Sequence, residues 1–173
     1  MAQARLGGLL GGNAGVVYVH MGSGDEKLGP LWDVVHNTPL PISQMLPTHI
    51  SSRSQALIGT AVALSMVLCA TPNLGWAGCA EDAVAWIEAG GNVDLTAGSK
   101  KTVGALKMFF DAGGESALDH VSVSSDCYGS LPSFDEAGRL IRYSYSKPDG
   151  LLRLVVTLVR ACPSHSHTCC LLY

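Results

Sequence analysis

Short apolar runs alternate along the chain with segments of helical periodicity. Residues 16–20 (VVYVH), 45–48, 92–96 (NVDLT) and 121–126 (VSVSSD) are β-branched or alternating runs, and they predict strands. Residues 28–37, 81–89 and 103–110 place apolar side chains at helical spacing, and they predict helices. Residues 151–161 are an apolar helix or strand. Because strand and helix alternate throughout, the pattern predicts an α/β fold with parallel pairing.

Two stretches interrupt this alternation. Residues 56–70 are fifteen residues without a charge, at the start of an apolar stretch that extends to residue 78. A membrane span needs ~18 or more such residues, so we expect an apolar insertion at 56–78 and no membrane partner. Residues 162–173 form a Cys/His-rich tail whose spacing matches no zinc motif, and we expect this tail to be disordered.

Composition narrows the class of protein. Of the 173 residues, 47% are hydrophobic and 14% are charged, which is low against roughly 25% in typical domains and indicates an ordered core rather than disorder. The net charge of -3 argues against a nucleic-acid partner, which would require a basic face. Six cysteines could indicate a secreted domain, but the chain opens without a signal-peptide pattern. A reducing, cytoplasmic location is therefore expected.

Three candidate metal ligands stand at the ends of predicted strands. His20 ends VVYVH, His49 follows the second strand, and Asp126 ends VSVSSD. In a parallel α/β barrel the carboxyl ends of the strands open into one shared mouth, where active sites lie. Two imidazoles and a carboxylate suit a divalent transition metal, zinc first. Taken singly, each histidine could be an ordinary loop residue, and Asp126 could be a turn aspartate.

The spacing of these positions supports a common register. His20 and His49 are 29 residues apart, and Thr96 and Asp126 are 30 apart. A barrel of eight strand–helix units uses roughly 31 residues per unit. His49 and Thr96 are 47 apart, and the surplus falls where the apolar stretch lies. Three units are therefore visible, and the middle one carries an insertion.

Several blocks resemble isoaspartyl (beta-aspartyl) dipeptidase, a family of metal-dependent amidohydrolases. They are RLGGLLGG from Arg5, GVVYVHMG, PIS with LPTH, GGNVDLT, and SVSSDCYGSLPSFDEAGRL, and they occur in the family's order. The resemblance implies a partial TIM (β/α)8 barrel of the amidohydrolase type over residues 1–161, with the insertion at 56–78 and the tail at 162–173. It corresponds to about strands 5 to 8 and is truncated at both ends.

The resemblance also implies roles for individual residues. In the family, two zinc ions are bridged by a carbamylated lysine and a hydroxide. His20 and His49 match the two histidines that bind one zinc. Asp126 matches the aspartate that binds the other zinc and shuttles the proton, and Ser130 matches a serine that contacts the substrate. The family's substrate-gripping arginine falls at Ser52, and Arg53 one position later is the candidate.

The family's first-strand His-x-His pair and its bridging lysine have no counterpart in this chain. The first hypothesis is nevertheless zinc-dependent hydrolysis of beta-aspartyl dipeptides, in a family whose members assemble as homo-oligomers. The second is a catalytically inactive remnant, from a truncated or mispredicted chain. The third is a small metal-binding or membrane-associated protein that uses the tail and the apolar run.

Overall fold

The computed structural model describes residues 1–22, 26–50, 79–97, 100–135 and 137–161. Arg53, the predicted insertion at 56–78 and the predicted tail at 162–173 lie outside these ranges. Over the described ranges the chain forms a mixed α/β structure. Its elements are α1 (Ala2–Gly11), β1 (Val17–His20), α2 (Gly29–Asn37), β2 (Met45–Thr48), α3 (Cys79–Glu88), β3 (Val93–Thr96), α4 (Lys100–Leu118), β4 (Val121–Ser124), β5 (Ser130–Phe134), β6 (Leu140–Tyr145) and α5 (Gly150–Ala161).

The first four strands form two parallel pairs, as the alternation of elements predicts. In one pair β1 lies beside β2, with Val17 opposite Met45 and His20 opposite Thr48. In the other β3 lies beside β4, and its register ends with Thr96 opposite Ser124. Because both strands of a pair end together, the residues that follow them emerge at the same edge.

Side-chain hydrogen bonds connect the two parallel pairs. The Thr48 hydroxyl on β2 lies 2.6 Å from a carboxylate oxygen of Asp94 on β3. Closer to the carboxyl ends of the same strands, the His49 ring lies 2.7 Å from the Thr96 hydroxyl. The four strands therefore share one set of polar contacts, although the backbone hydrogen bonds define separate two-stranded sheets.

The hydrophobic core lies between the parallel strands and the helices that follow them. Trp86 on α3 is fully buried, and its indole packs edge-on against Trp32 of α2 with 4.9 Å between ring centroids. Asp82 of α3 accepts a hydrogen bond at 3.0 Å from the backbone N–H of Leu28, which supports the start of α2. The largest other side chains that are completely buried are Leu28, Met45, Ile50, Val93, Leu95 and Phe109.

The glycine-rich N-terminus forms a helix that the sequence pattern does not predict. Gly12 ends α1 in the left-handed conformation, with φ 68°, and its N–H bonds to the carbonyl of Gly8. A Cβ on Gly8 would lie 2.5 Å from the backbone of Gly15. The helix therefore packs on the chain entering β1 through glycine backbone, a tertiary contact that helix propensity does not report.

Two predicted elements have different bounds in the structure. The strand expected at 121–126 ends at Ser124, so Asp126 lies in the following turn. The helix around residues 103–110 runs from Lys100 to Leu118, with a break at Gly114, where φ is 65°. Glycine adopts this conformation without the steric cost that a side chain would bring. The predicted stop at Gly113–Gly114 is therefore a kink rather than the end of the helix.

The last part of the described chain holds an antiparallel hairpin that the sequence pattern does not predict. Strands β5 and β6 pair in antiparallel register. At the turn, one Asp135 carboxylate oxygen accepts hydrogen bonds from the N–H groups of Ala137 and Arg139. Hydrogen bonding from the Arg139 backbone lowers the pKa of Asp135. Residues 151–161, whose apolar pattern allows either helix or strand, lie in α5.

No helix within the described ranges is long and apolar enough to cross a membrane. The charge-free run at 56–70 is outside those ranges.

Candidate functional site

The two histidines singled out by the sequence meet at the carboxyl end of the first strand pair. His20 is the last residue of β1, and His49 follows β2 directly. Nδ1 of His20 lies 2.8 Å from Nε2 of His49, and the ring centroids are 4.9 Å apart. His49 is buried, whereas His20 is exposed. One ring is therefore held in the protein interior and presents a nitrogen to a ring open to solvent.

Backbone strain coincides with the predicted site residues. His49 has φ 67° and Asp126 has φ 48°, both in the left-handed region that side chains rarely adopt. Tyr128, two residues after Asp126, has φ 61°. Such conformations persist where the surroundings fix them, and they concentrate at functional sites. Both strained turns leave the carboxyl ends of parallel strands, one after β2 and one after β4.

Thr96 contacts His49 at Nδ1, the ring nitrogen that is not in contact with His20. Its hydroxyl lies 2.7 Å from Nδ1 of His49, and both residues are buried. The carbonyl of Thr96 in turn accepts a 2.6 Å hydrogen bond from the hydroxyl of Thr102, at the start of α4. The position of His49 is thereby connected to strand β3 and to the helix that follows it.

The carboxylate of Asp94, on β3, is buried and accepts several side-chain hydrogen bonds near the two histidines. One oxygen of Asp94 accepts hydrogen bonds from the hydroxyls of Tyr18 (2.7 Å), Thr48 (2.6 Å) and Ser124 (2.8 Å). The other oxygen accepts one from Ser122 at 2.9 Å. These donors come from β1, β2 and β4, while Asp94 is on β3. The carboxylate therefore joins side chains from all four parallel strands.

The hydroxyl of Tyr18 takes part in this cluster from β1. Desolvation by burial and the hydrogen bond to Asp94 raise the pKa of Tyr18. The neutral phenol therefore persists above the pH at which a solvated tyrosine loses its proton, and it remains a hydrogen-bond donor to the Asp94 carboxylate.

The other predicted site residues lie on the loop between β4 and β5. The carbonyl of Asp126 accepts a 2.9 Å hydrogen bond from the N–H of Gly129, which closes a turn. Its carboxylate lies against Gly129, where an added Cβ would stand 2.6 Å from either oxygen. Ser130 begins β5 and is exposed. Arg53 lies outside the described residues.

The two imidazole nitrogens lie closer together than two nitrogen ligands of one zinc ion. Zn–N distances are about 2.0–2.1 Å, so two tetrahedral nitrogen ligands stand about 3.4 Å apart. The His20 and His49 nitrogens are 2.8 Å apart, which is closer than this. A small side-chain rotation would bring them to the separation of two zinc ligands. Among the described residues, no group of three or more His, Cys, Asp or Glu side chains is close enough to hold a metal. The described residues thus supply two candidate nitrogen ligands and no complete metal site.

The sequence pattern singles out the two histidines and misses the residues that support them. Asp94 and Thr96 belong to NVDLT, whose alternation predicts only a strand. All four residues of β3 are buried. An aspartate in the middle of an otherwise buried strand is the available signal, because an ionised carboxylate is seldom buried without partners.

These features define the class of protein: a mixed α/β chain with a polar site where parallel strands end. A scan against protein-family models finds no match. Among solved structures, the beta-aspartyl dipeptidase of Fervidobacterium islandicum AW-1, in complex with a beta-Asp-Leu dipeptide, matches 94% of this chain with a TM-score of 0.71 and 27% identity. A second structure of a beta-aspartyl dipeptidase from this bacterium matches 73% of the chain with a TM-score of 0.53 and 32% identity.

The matches confirm the resemblance to beta-aspartyl dipeptidase, a peptide hydrolase, that the sequence blocks indicate. This chain spans 37% of the first matched structure's length and 28% of the second's.

Proposed function

We propose that this chain supplies part of the active site of a hydrolase that cleaves beta-aspartyl dipeptides. The observation that carries the proposal is the convergence of His20 and His49, 2.8 Å apart, in a fold that matches a beta-aspartyl dipeptidase. The matched structure holds a beta-Asp-Leu dipeptide, which supports a small dipeptide as the substrate class. In this proposal β1 to β4 correspond to about strands 5 to 8 of a TIM barrel, and their carboxyl ends face the substrate.

We propose zinc as the cofactor. His20 and His49 would hold one ion, and Asp126 would bind a second in a complete site. When bound, zinc lowers the pKa of a coordinated water and polarises the scissile carbonyl. The proximity of the two imidazole nitrogens, 2.8 Å apart, supports the first of these sites.

The chain's own residues have separable roles in this proposal. Asp126 accepts the proton of the attacking water and returns it to the leaving amine, acting as general base and then general acid. Ser130 donates a hydrogen bond to the substrate, and Arg53 pairs with a substrate carboxylate. The contact of the Asp126 carboxylate with Gly129 supports a fixed position for the proton acceptor.

Hydrolysis of beta-Asp-Leu with added zinc tests the function in a longer version of the protein that supplies the rest of the active site. Release of leucine is expected, with alpha-Asp-Leu as the control substrate. Because general acid–base catalysis contributes about 10²–10⁴-fold, Asp126→Ala should lower kcat at least 100-fold. His49→Ala should also abolish turnover, whereas His36→Ala should not, because His36 is exposed and stacks on Trp32 away from the site. Equal turnover in all variants would contradict the assignment.

A catalytically inactive relative is the second candidate. The observation in its favour is that no third metal ligand joins His20 and His49 among the described residues. A chain that binds zinc through this pair, without releasing leucine, would support the second candidate over the first.

A further inference from the structure

Two exposed tyrosine rings stack beside the loop that carries Asp126. The rings of Tyr128 and Tyr145 have 5.7 Å between their centroids and an angle of 26° between their planes. Aromatic rings contribute much of the energy of protein cores and interfaces, yet these two side chains are 72% and 61% exposed. The tyrosine pair (Tyr128 and Tyr145) is therefore an aromatic surface that the described residues leave open.

Tyr128 occupies a backbone position that favours glycine. Its φ is 61°, its N–H bonds to the carbonyl of Ser146 at 3.0 Å, and the Ser146 N–H bonds to the carbonyl of Gly129 at 3.0 Å. Two residues thus face one residue of the opposite segment, as in a G1 bulge, whose first residue is usually glycine. Bulges re-aim side chains next to active sites. Glycine would make this turn without strain, so the tyrosine ring itself requires an explanation.

The strand register places the tyrosine pair next to Ser130. Ser130 of β5 lies directly opposite Tyr145 of β6. Directly opposite residues project from the same face of an antiparallel pair, with Cβ atoms about 4.5–5.5 Å apart. Ser130 is exposed, and the proposed function makes it a hydrogen-bond donor to the substrate. A substrate bound at Ser130 therefore has the ring of Tyr145 within reach.

We propose that the tyrosine pair is a specificity subsite for an apolar side chain on the leaving residue of a beta-aspartyl dipeptide. This inference rests on the proposed function, which makes Ser130 a substrate contact. The beta-Asp-Leu dipeptide of the matched structure has a leaving residue of this chemistry. Its side chain gains free energy by burying apolar area against two aromatic rings, whereas a glycine leaving residue has no side chain to bury. Leucine is therefore preferred over glycine as the leaving residue.

Hydrolysis of beta-Asp-Leu and beta-Asp-Gly by the longer version of the protein tests the subsite. The ratio of kcat/KM for the two dipeptides should fall about tenfold in Tyr128→Gly and in Tyr145→Ala, since even one methylene in an apolar pocket changes discrimination by about tenfold or more. Tyr128→Phe should keep the ratio, because it keeps the ring. Glycine suits the left-handed backbone at this position, so Tyr128→Gly removes the ring without straining the turn. Tyr143→Ala is the matched control, since it removes an exposed tyrosine two positions earlier on β6.

The outcomes separate the subsite from the proposed function. Turnover with the same ratio in wild type, Tyr128→Gly and Tyr145→Ala, or with an equal fall in Tyr143→Ala, would overturn the subsite and leave the proposed function standing. If neither dipeptide is hydrolysed, the proposed function fails, and NMR of the chain itself decides on the subsite. Ring signals of Tyr128 and Tyr145, assigned by their loss in phenylalanine variants, should then shift more with beta-Asp-Leu than with beta-Asp-Gly. Equal or absent shifts would overturn the subsite.

Discussion

The hydroxyl of Thr48 lies 2.6 Å from the carboxylate of Asp94, across the gap between the two parallel strand pairs. This contact lies immediately before His49 in the chain. With the three other hydroxyls that bond to Asp94, it makes this buried carboxylate of β3 the common acceptor for side chains of the other three parallel strands. The strand ends that carry His20 and Asp126 are thus positioned by polar contacts as well as by the apolar core.

Replacing Asp94 should therefore destabilise the fold. Hydrogen bonds to charged groups contribute about 1.5–3 kcal/mol each, and Asp94→Ala leaves the buried Thr48 hydroxyl and three part-buried hydroxyls without their acceptor. We expect the free energy of unfolding to fall by about 3 kcal/mol or more, and by less in Asp94→Asn, which keeps one acceptor oxygen. Urea denaturation measures both. Asp111→Asn is the control, because Asp111 forms an exposed ion pair with Lys107. Its replacement should change the free energy of unfolding by only about 0.5 kcal/mol. Similar losses in Asp94→Ala and Asp111→Asn would refute this role.

The raised pKa of Tyr18 predicts a dependence of stability on alkaline pH. A group whose pKa is higher in the folded state holds its proton more tightly there, so unfolding releases a proton above the unfolded value of about 10. Its stabilisation is complete below that pH and is lost as pH rises through the folded pKa. Denaturation from about pH 9 to pH 11 should show a steeper decline in wild type than in Tyr18→Phe. The control is Tyr143→Phe, whose ring is exposed on β6. Parallel pH profiles for wild type and Tyr18→Phe would contradict the prediction.

A side chain at position 129 should lower activity, because Gly129 lies against the Asp126 carboxylate. A methyl group at this position would lie 2.6 Å from both carboxylate oxygens, so Gly129→Ala must displace the carboxylate. If Asp126 moves the proton, kcat for beta-Asp-Leu should fall at least tenfold, because proton transfer requires hydrogen-bond geometry. Gly7→Ala is the matched control, since nothing lies within 4 Å of its added Cβ. An unchanged kcat in Gly129→Ala would remove Asp126 from the proton-transfer step.

A site residue can be predicted from the sequence when its position follows from the local pattern of residues around it. His20 and His49 end strand-like runs, and their 29-residue spacing matches one strand–helix unit, so the sequence alone predicts both as candidate ligands that lie close together. Asp94 and Thr96 can be assigned only to a strand. Alternation does not distinguish polar side chains facing solvent from polar side chains facing hydroxyls on other strands, and the latter depends on long-range pairing.

The same distinction explains the differences in fold. The parallel pairs follow from apolar runs that local periodicity detects. Helix α1 depends on the close approach of Gly8 to Gly15, and the β5–β6 hairpin depends on a turn in which Asp135 caps two backbone N–H groups. Hydrophobic periodicity does not report contacts between backbone segments, and it does not report side-chain hydrogen bonds within a turn. The pattern therefore does not predict these elements.

The central claim is that His20 and His49 form a metal site, and zinc binding to the purified chain tests it most directly. Isothermal calorimetry should give binding that weakens at least tenfold in His20→Ala and in His49→Ala, because each supplies one of the nitrogen ligands. His36→Ala, which changes an exposed histidine stacked on Trp32, should bind as wild type does. Zinc affinity that is the same in wild type, His20→Ala and His49→Ala would show that the pair does not bind the metal, and would contradict the account.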